Sequence, residues 1–200
     1  MHAVPPLHSL SWAKIRTVAG ELASSTPVES VVAIAHQHLT APEVAYRQFG
    51  VYVLGFISAA RPDQLEVLRT RVVPDPHWQV QEALAQAFDS YCAALGYEAA
   101  LPTIDRWLAD ERPNARRAVT EGLRPWTSKR RSYFARQPAE SIRRLAELRA
   151  DPSEYVRHSV GNALRDIRRT HPALVDAETA TWNLADTREQ FTYLRVQRAR

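Results

Sequence analysis

An internal repeat of about 35 residues governs what this chain can fold into, because a period in this range marks an array of stacked repeat units. Thr40-Ala-Pro-Glu43, Asp75-Pro-His-Trp78, Asp110-Glu-Arg-Pro113, Asp151-Pro-Ser-Glu154 and Asp186-Thr-Arg-Glu189 each open with an oxygen that can cap a helix. Most add an early proline or a glutamate three residues on, both helix-start signals. The starts fall at 40, 75, 110, 151 and 186, giving spacings of 35, 35, 41 and 35 residues. An apolar-periodic helix follows each start: Val80, Leu84 and Phe88 align with Ala115, Val119 and Leu123, and with Val156, Val160 and Leu164. Between the starts, Pro27, Pro62, Pro102, Pro138 and Pro172 lead into a second helical pattern, as in Ile142, Leu145 and Leu148. No alternating apolar run bounded by Asn-Gly or Asp-Gly argues for hairpins.

The pattern predicts an all-α fold, an α-solenoid of about five HEAT-like helix pairs in which each pair buries its apolar face against its neighbours. One repeat domain over 1–200 is expected. Its parts are an N-terminal capping helix near 11–23 and repeats near 27–58, 62–95, 98–124, 138–169 and 172–198. The one long spacing is explained by a basic and aromatic insertion, 124–137, with five basic residues, three aromatics and no acid. Such a segment reads either as a solvated loop with its rings tucked beneath it or as a grip for phosphate backbones.

Charge needs position to be interpreted. Of 26 basic residues only Lys14 and Lys129 are lysine, against 22 acidic residues, for a net charge of +4. Arginine matches phosphate bidentately, although arginine-rich coding would also raise its count. Seven residues after each start come Arg47, Glu82, Arg117, His158 and Tyr193, and eleven after come Val51, Gln86, Glu121, Asn162 and Gln197. These mostly polar rows share a face opposite the apolar stripe, the face that would line a concave, basic surface. Glu82 stands out as a carboxylate between Arg47 and Arg117, one turn after Trp78. It reads either as an inter-repeat ion pair with Arg117 or as a functional acid.

Several chemistries are excluded. Cys92, the single cysteine, permits no internal disulfide or thiolate cage and reads as a packed residue. His2, His8, His36, His38, His77, His158 and His171 show no ligand spacing, and no Gly-rich phosphate loop or G-x-S-x-G elbow is present. No metal and no cofactor are expected. No run approaches the roughly 18 apolar residues of a membrane span, and no signal peptide is legible.

Arg116-Arg-Ala-Val-Thr-Glu-Gly-Leu-Arg-Pro-Trp126 and the segment from Asp151-Pro-Ser-Glu-Tyr-Val-Arg-His-Ser-Val to His171-Pro172 resemble the HEAT-like DNA alkylation-repair glycosylases AlkC and AlkD. The likeness spans roughly 40–176 and is nearer the AlkC branch, which shares the S/T-E-G-x-R-P turn. It implies hydrolysis of the N-glycosidic bond of cationic N-alkylated purines, of the 3-methyladenine or 7-methylguanine type, in duplex DNA held on the concave face. Trp78 and Glu82 match the family's tryptophan and acid, Arg117 its basic residue, and Asp166 or, less closely, Asp176 the second carboxylate of AlkC-type members.

By this resemblance Glu82, Trp78 and Asp166 are the candidate catalytic residues. Arg47, Arg117, Arg124, Lys129, Arg130, Arg131 and Arg157 are the candidate DNA contacts. Compared with the family, the extra N-terminal repeats and immunoglobulin-like domain of AlkC-type members are not expected here, and no tryptophan stands near Val175 or Asp176 where AlkD-type members carry one. The expectation is a monomeric, cytoplasmic, nucleoid-associated glycosylase. The alternative is a non-catalytic HEAT-repeat module that binds DNA or a protein.

Overall fold

The structure is a computed structural model that describes residues 5–124 and 136–198. Among the described residues all regular structure is helical. In chain order the helices are α1 (Trp12–Ser25), α2 (Val28–Leu39), α3 (Val44–Ile57), α4 (Pro62–Val67, continued by one π turn, Leu68–Val72) and α5 (Trp78–Leu95). They continue with α6 (Tyr97–Leu108), α7 (Pro113–Gly122), α8 (Pro138–Glu147), α9 (Glu154–Arg168), α10 (Pro172–Thr179) and α11 (Thr187–Gln197). Two compact units divide the chain, Met1–Leu101 and Pro102–Arg200, and the division falls at Pro102 inside α6.

The first unit is organised around α3, which packs against α1, α2 and α5 and is buried almost continuously from Gln48 to Ile57. Its sequence, Phe-Gly-Val-Tyr-Val-Leu-Gly-Phe-Ile, is apolar on every side because three helices surround it. Gly55 permits the closest approach: a Cβ there would lie 2.5 Å from the Cα of Ala87 on α5. Helix α1 packs on α3 far more than on α2, so it lies across the unit's central helix instead of only closing the end of the first pair. Gly96, at φ 94°, ends α5 by donating its N–H to the Cys92 carbonyl at 3.0 Å.

The second unit repeats the plan with α9 at its centre, packed by α7, α8, α10 and α11. Gly161 on α9 sits under Arg195 of α11, and an added Cβ would be 2.6 Å from the Arg195 Cβ.

The repeat itself is held by backbone pinning. Asp75, Asp110 and Asp151 accept from the N–H two residues on, of His77, Arg112 and Ser153, at 2.8, 2.9 and 2.8 Å. They form Asx turns one step ahead of helices that begin at Trp78, Pro113 and Glu154, while Asp186 caps α11 directly. Six residues after each turn a side chain reaches back to that turn's carbonyl. Gln81 donates to Asp75 O at 2.7 Å, Arg116 to Asp110 O at 2.7 Å and Arg157 to Asp151 O at 2.6 Å.

Arg47 makes the same return to Ala41 O at 3.1 Å. The structural repeats therefore start at 41, 75, 110, 151 and 186. Thr40 is one residue out of register. Arg47 belongs with Gln81, Arg116 and Arg157, and the position equivalent to Glu82 is Gln48, which is buried and donates to Gln79 O at 3.2 Å.

Candidate functional site

In the first unit Trp78 stands at the N-terminus of α5 with 56% of its surface exposed, too much for a core tryptophan. Glu82 is half-buried one turn later, and Gln86 and Ser90 continue the stripe at helical spacing. Helix α1 spans it. The Trp12 ring meets Trp78 edge-on, centroids 5.3 Å apart and planes at 63°, while His77 stacks on Trp78 at 6.5 Å and 16°. One turn beyond Trp12, Arg16 donates to Ser90 Oγ at 3.0 Å and lies 5.7 Å from the Phe56 ring centre. A carboxylate and an open aromatic pair therefore share one face, with a guanidinium at its far end. Such a face can stabilise a cation on the rings and the acid together.

Below this face lies Tyr52 of α3, 2% exposed. Its hydroxyl has no hydrogen-bond partner among the described residues. Burial pushes its pKa up to about 12, the Arg16 cation opposing the rise and the Glu82 charge adding to it.

The second unit gathers arginines. Arg117 is buried, its guanidinium 4.3 Å over the ring of Tyr155. Arg157 is also buried; besides pinning Asp151 it donates to Pro152 O at 3.2 Å and lies 5.0 Å from the Phe191 ring. The ring of His158 meets Phe191 edge-on at 4.8 Å, and its Nε2 is 3.4 Å from Glu154. Burial and then the Arg195 charge lower the His158 pKa against the pull of Glu154. Arg195, half-buried on α11, makes no ion pair with an acid among the described residues, and its Nε is buried without an acceptor. Burial, then the like charges of Arg198 and Arg124, push its pKa down.

Several expected site residues are placed differently from groups offered to a ligand. Arg47 pairs with Asp75 at 2.8 Å and pins the Ala41 and Pro42 carbonyls, and Arg157 pins its own turn; both serve the inter-repeat ladder. Asp166 is buried and accepts twice from Arg124, at 3.0 and 2.7 Å, and Arg124 also pairs with Glu121. Ser159 donates to Glu121 at 2.9 Å and Thr120 to Ser159 at 2.8 Å. Arg124's pKa is raised because these two carboxylates outweigh the burial that would lower it.

The two motifs that carry the family resemblance are thus joined by a buried polar network. Asp176 is half-exposed and bound by Arg168 at 2.6 and 3.3 Å, at the edge of a cavity of about 290 Å³ that also touches Trp182 and Tyr193. Lys129, Arg130 and Arg131, with most of the insertion, lie outside the described residues.

Among the described residues no His, Cys, Asp and Glu cluster could hold a metal, and no helix is long and apolar enough to cross a membrane. Cys92 is buried, and burial followed by the Asp89 charge drives its thiol pKa up. Trp12, Arg16, Tyr52 and Arg195 escaped the sequence reading. Each is placed by tertiary packing, for which repeat arithmetic has no signal.

Comparison with known proteins agrees with this architecture. AlkD2 from Streptococcus mutans is 38% identical, with a TM-score of 0.90, covering 96% of this chain and 91% of that one. The smu.31 protein of Streptococcus mutans UA159 is 39% identical at TM-score 0.87, over 93% of this chain and 91% of that one. An alkylpurine DNA glycosylase, AlkC of Pseudomonas fluorescens, solved with DNA containing an abasic site analog, shares the fold at 21% identity and TM-score 0.58; it covers 92% of this chain and 50% of that one.

A curated relative, the uncharacterized protein YhaZ of Bacillus subtilis, is 29% identical over 117 residues. The match takes in 53% of this chain and about a third (33%) of the relative's length. The family model described as DNA alkylation repair enzyme matches residues 1–177. With all-helical, HEAT-like architecture and that match over most of its length, the chain belongs to the DNA alkylation repair enzyme family.

Proposed function

We propose that the chain is a DNA glycosylase that hydrolyses the N-glycosidic bond of cationic N-alkylated purines, of the 3-methyladenine or 7-methylguanine type, in duplex DNA held on its concave face. The observation that carries this reading is the open face of Trp78, Trp12 and Glu82. A cationic purine is already a good leaving group, so the enzyme need not protonate it. What remains is to stabilise an oxocarbenium-like sugar and to deliver water. Glu82 accepts a proton from water as the water oxygen bonds to C1′, and the C1′–N electron pair leaves with the purine and neutralises its charge. The rings of Trp78 and Trp12 face the cation.

Arg117 and Arg195, with Lys129, Arg130 and Arg131, are proposed to hold phosphates. In this reading the protein works as a monomer on the nucleoid in the cytoplasm. Asp166 remains a proposed second acid, and to act it would have to leave its pair with Arg124. That closed pair favours the second reading, a repeat module that binds DNA without chemistry.

The test is base release from methylated duplex DNA. Wild type is expected to free 3-methyladenine, and Glu82→Gln to abolish release, at least 100-fold, while keeping duplex affinity. DNA binding by wild type with no base released would favour the second reading.

A further inference from the structure

We infer that Tyr52 is a positioning residue for Glu82: its hydroxyl donates a hydrogen bond to one carboxylate oxygen in the substrate complex and leaves the other oxygen facing the attacking water. This rests on the glycosylase reading above.

The helix contacts put Tyr52 in place. On α3, Gln48 bonds the Gln79 carbonyl at 3.2 Å and Gly55 abuts Ala87, so the intervening Tyr52 lies against the turn of α5 that carries Glu82. Phe56, one turn after Tyr52, lies under Arg16 of α1, which reaches Ser90 on α5. Tyr52 therefore sits where α1, α3 and α5 meet beneath the Trp78 face, with Arg16 and Glu82 the charged groups that act on it.

The hydroxyl gives the fold nothing. It is buried without a partner among the described residues, which destabilises a folded chain, and phenylalanine would fill the same space without that cost. A donor held at a loss beside a carboxylate is what a site needs to fix that carboxylate's rotamer. The phenol also resists ionisation, so it stays a donor throughout the neutral range.

The experiment is Tyr52→Phe in the full chain, assayed by single-turnover release of 3-methyladenine, duplex affinity and thermal melting. Release is expected to slow by about tenfold with unchanged affinity and a melting temperature equal to or above wild type. Loss of a donor to the ionised carboxylate should also move the acid limb of the rate profile to higher pH, which a purely structural residue would not do. An unchanged rate and acid limb in an active enzyme overturns the inference while leaving the glycosylase reading intact. A slower rate accompanied by a lower melting temperature overturns it too, by assigning Tyr52 to packing. A wild type that binds DNA but releases no base removes the glycosylase reading, and this inference with it.

Discussion

Tyr52 and Asp166 show how differently two buried polar groups can be treated by one chain. One oxygen of Asp166 accepts from both Nε and Nη2 of Arg124, with Glu121 on the guanidinium's other side, so the buried charge is paired although the second oxygen has no hydrogen-bond partner among the described residues, and the network ties α7's end to α9. Tyr52 receives no such pairing, and its ionisation should therefore be visible in stability. Its folded pKa, raised to about 12 from 10.0, makes the folded state the poorer one for the phenolate. The sign follows: Tyr52's contribution is fully present below pH 10.0 and is lost as pH rises toward about 12. Wild type should lose about 3 kcal/mol over that interval that Tyr52→Phe retains, measured by urea denaturation at stepped alkaline pH. A parallel decline in both proteins would count against the buried phenol as the cause. Neither residue could be assigned this role from sequence, because the partners that define it are brought up by other helices.

At the level of elements, the repeat was legible down to its turns, and the error it carried was one residue. Asp75, Asp110 and Asp151 announce their turns with an oxygen that accepts from the N–H two residues on. The first repeat has Ala41 at that position, which offers no side-chain oxygen, so the cap signal falls one residue early, on Thr40, and places Arg47 in the row of Glu82. The return bond from Arg47 to Ala41 reveals the register that composition hides.

Glycine placement was opaque in the same way, since only the packed pair shows why Gly161 carries no side chain. Arg195 passes 2.6 Å from where its Cβ would be, and the Thr192 carbonyl lies 3.2 Å away. Gly161→Ala must push α11 off α9, and a loss of about 1–3 kcal/mol is expected from chemical denaturation. A loss near zero would mean that α11 moves freely and that Arg195 is not held where the structure puts it.

Across the whole molecule the question is what a net charge of +4 means when 26 basic residues are present. Much of the arginine is engaged internally: Arg47 with Asp75, Arg116 with Asp151, Arg124 with Asp166, Arg144 with Asp105 and Arg149 with Glu189. Composition therefore overstates the charge available to a phosphate, and the motif reading could not sort pinned arginines from open ones. The sorting predicts opposite behaviour for two residues that look alike in sequence. Arg195→Gln removes a cation disfavoured by its burial and then by the like charges of Arg198 and Arg124, so stability should hold or rise. Duplex affinity should fall and its salt dependence flatten by about 0.9 in slope if Arg195 meets a phosphate. Arg47→Gln breaks the bond to Asp75 and frees two turn carbonyls, so stability should fall by about 1–3 kcal/mol while the salt slope stays unchanged. Titrations at stepped salt beside denaturation curves read both quantities for both variants. A flattened slope for Arg47→Gln would return that residue to the DNA-facing row, and with it the register of the first repeat.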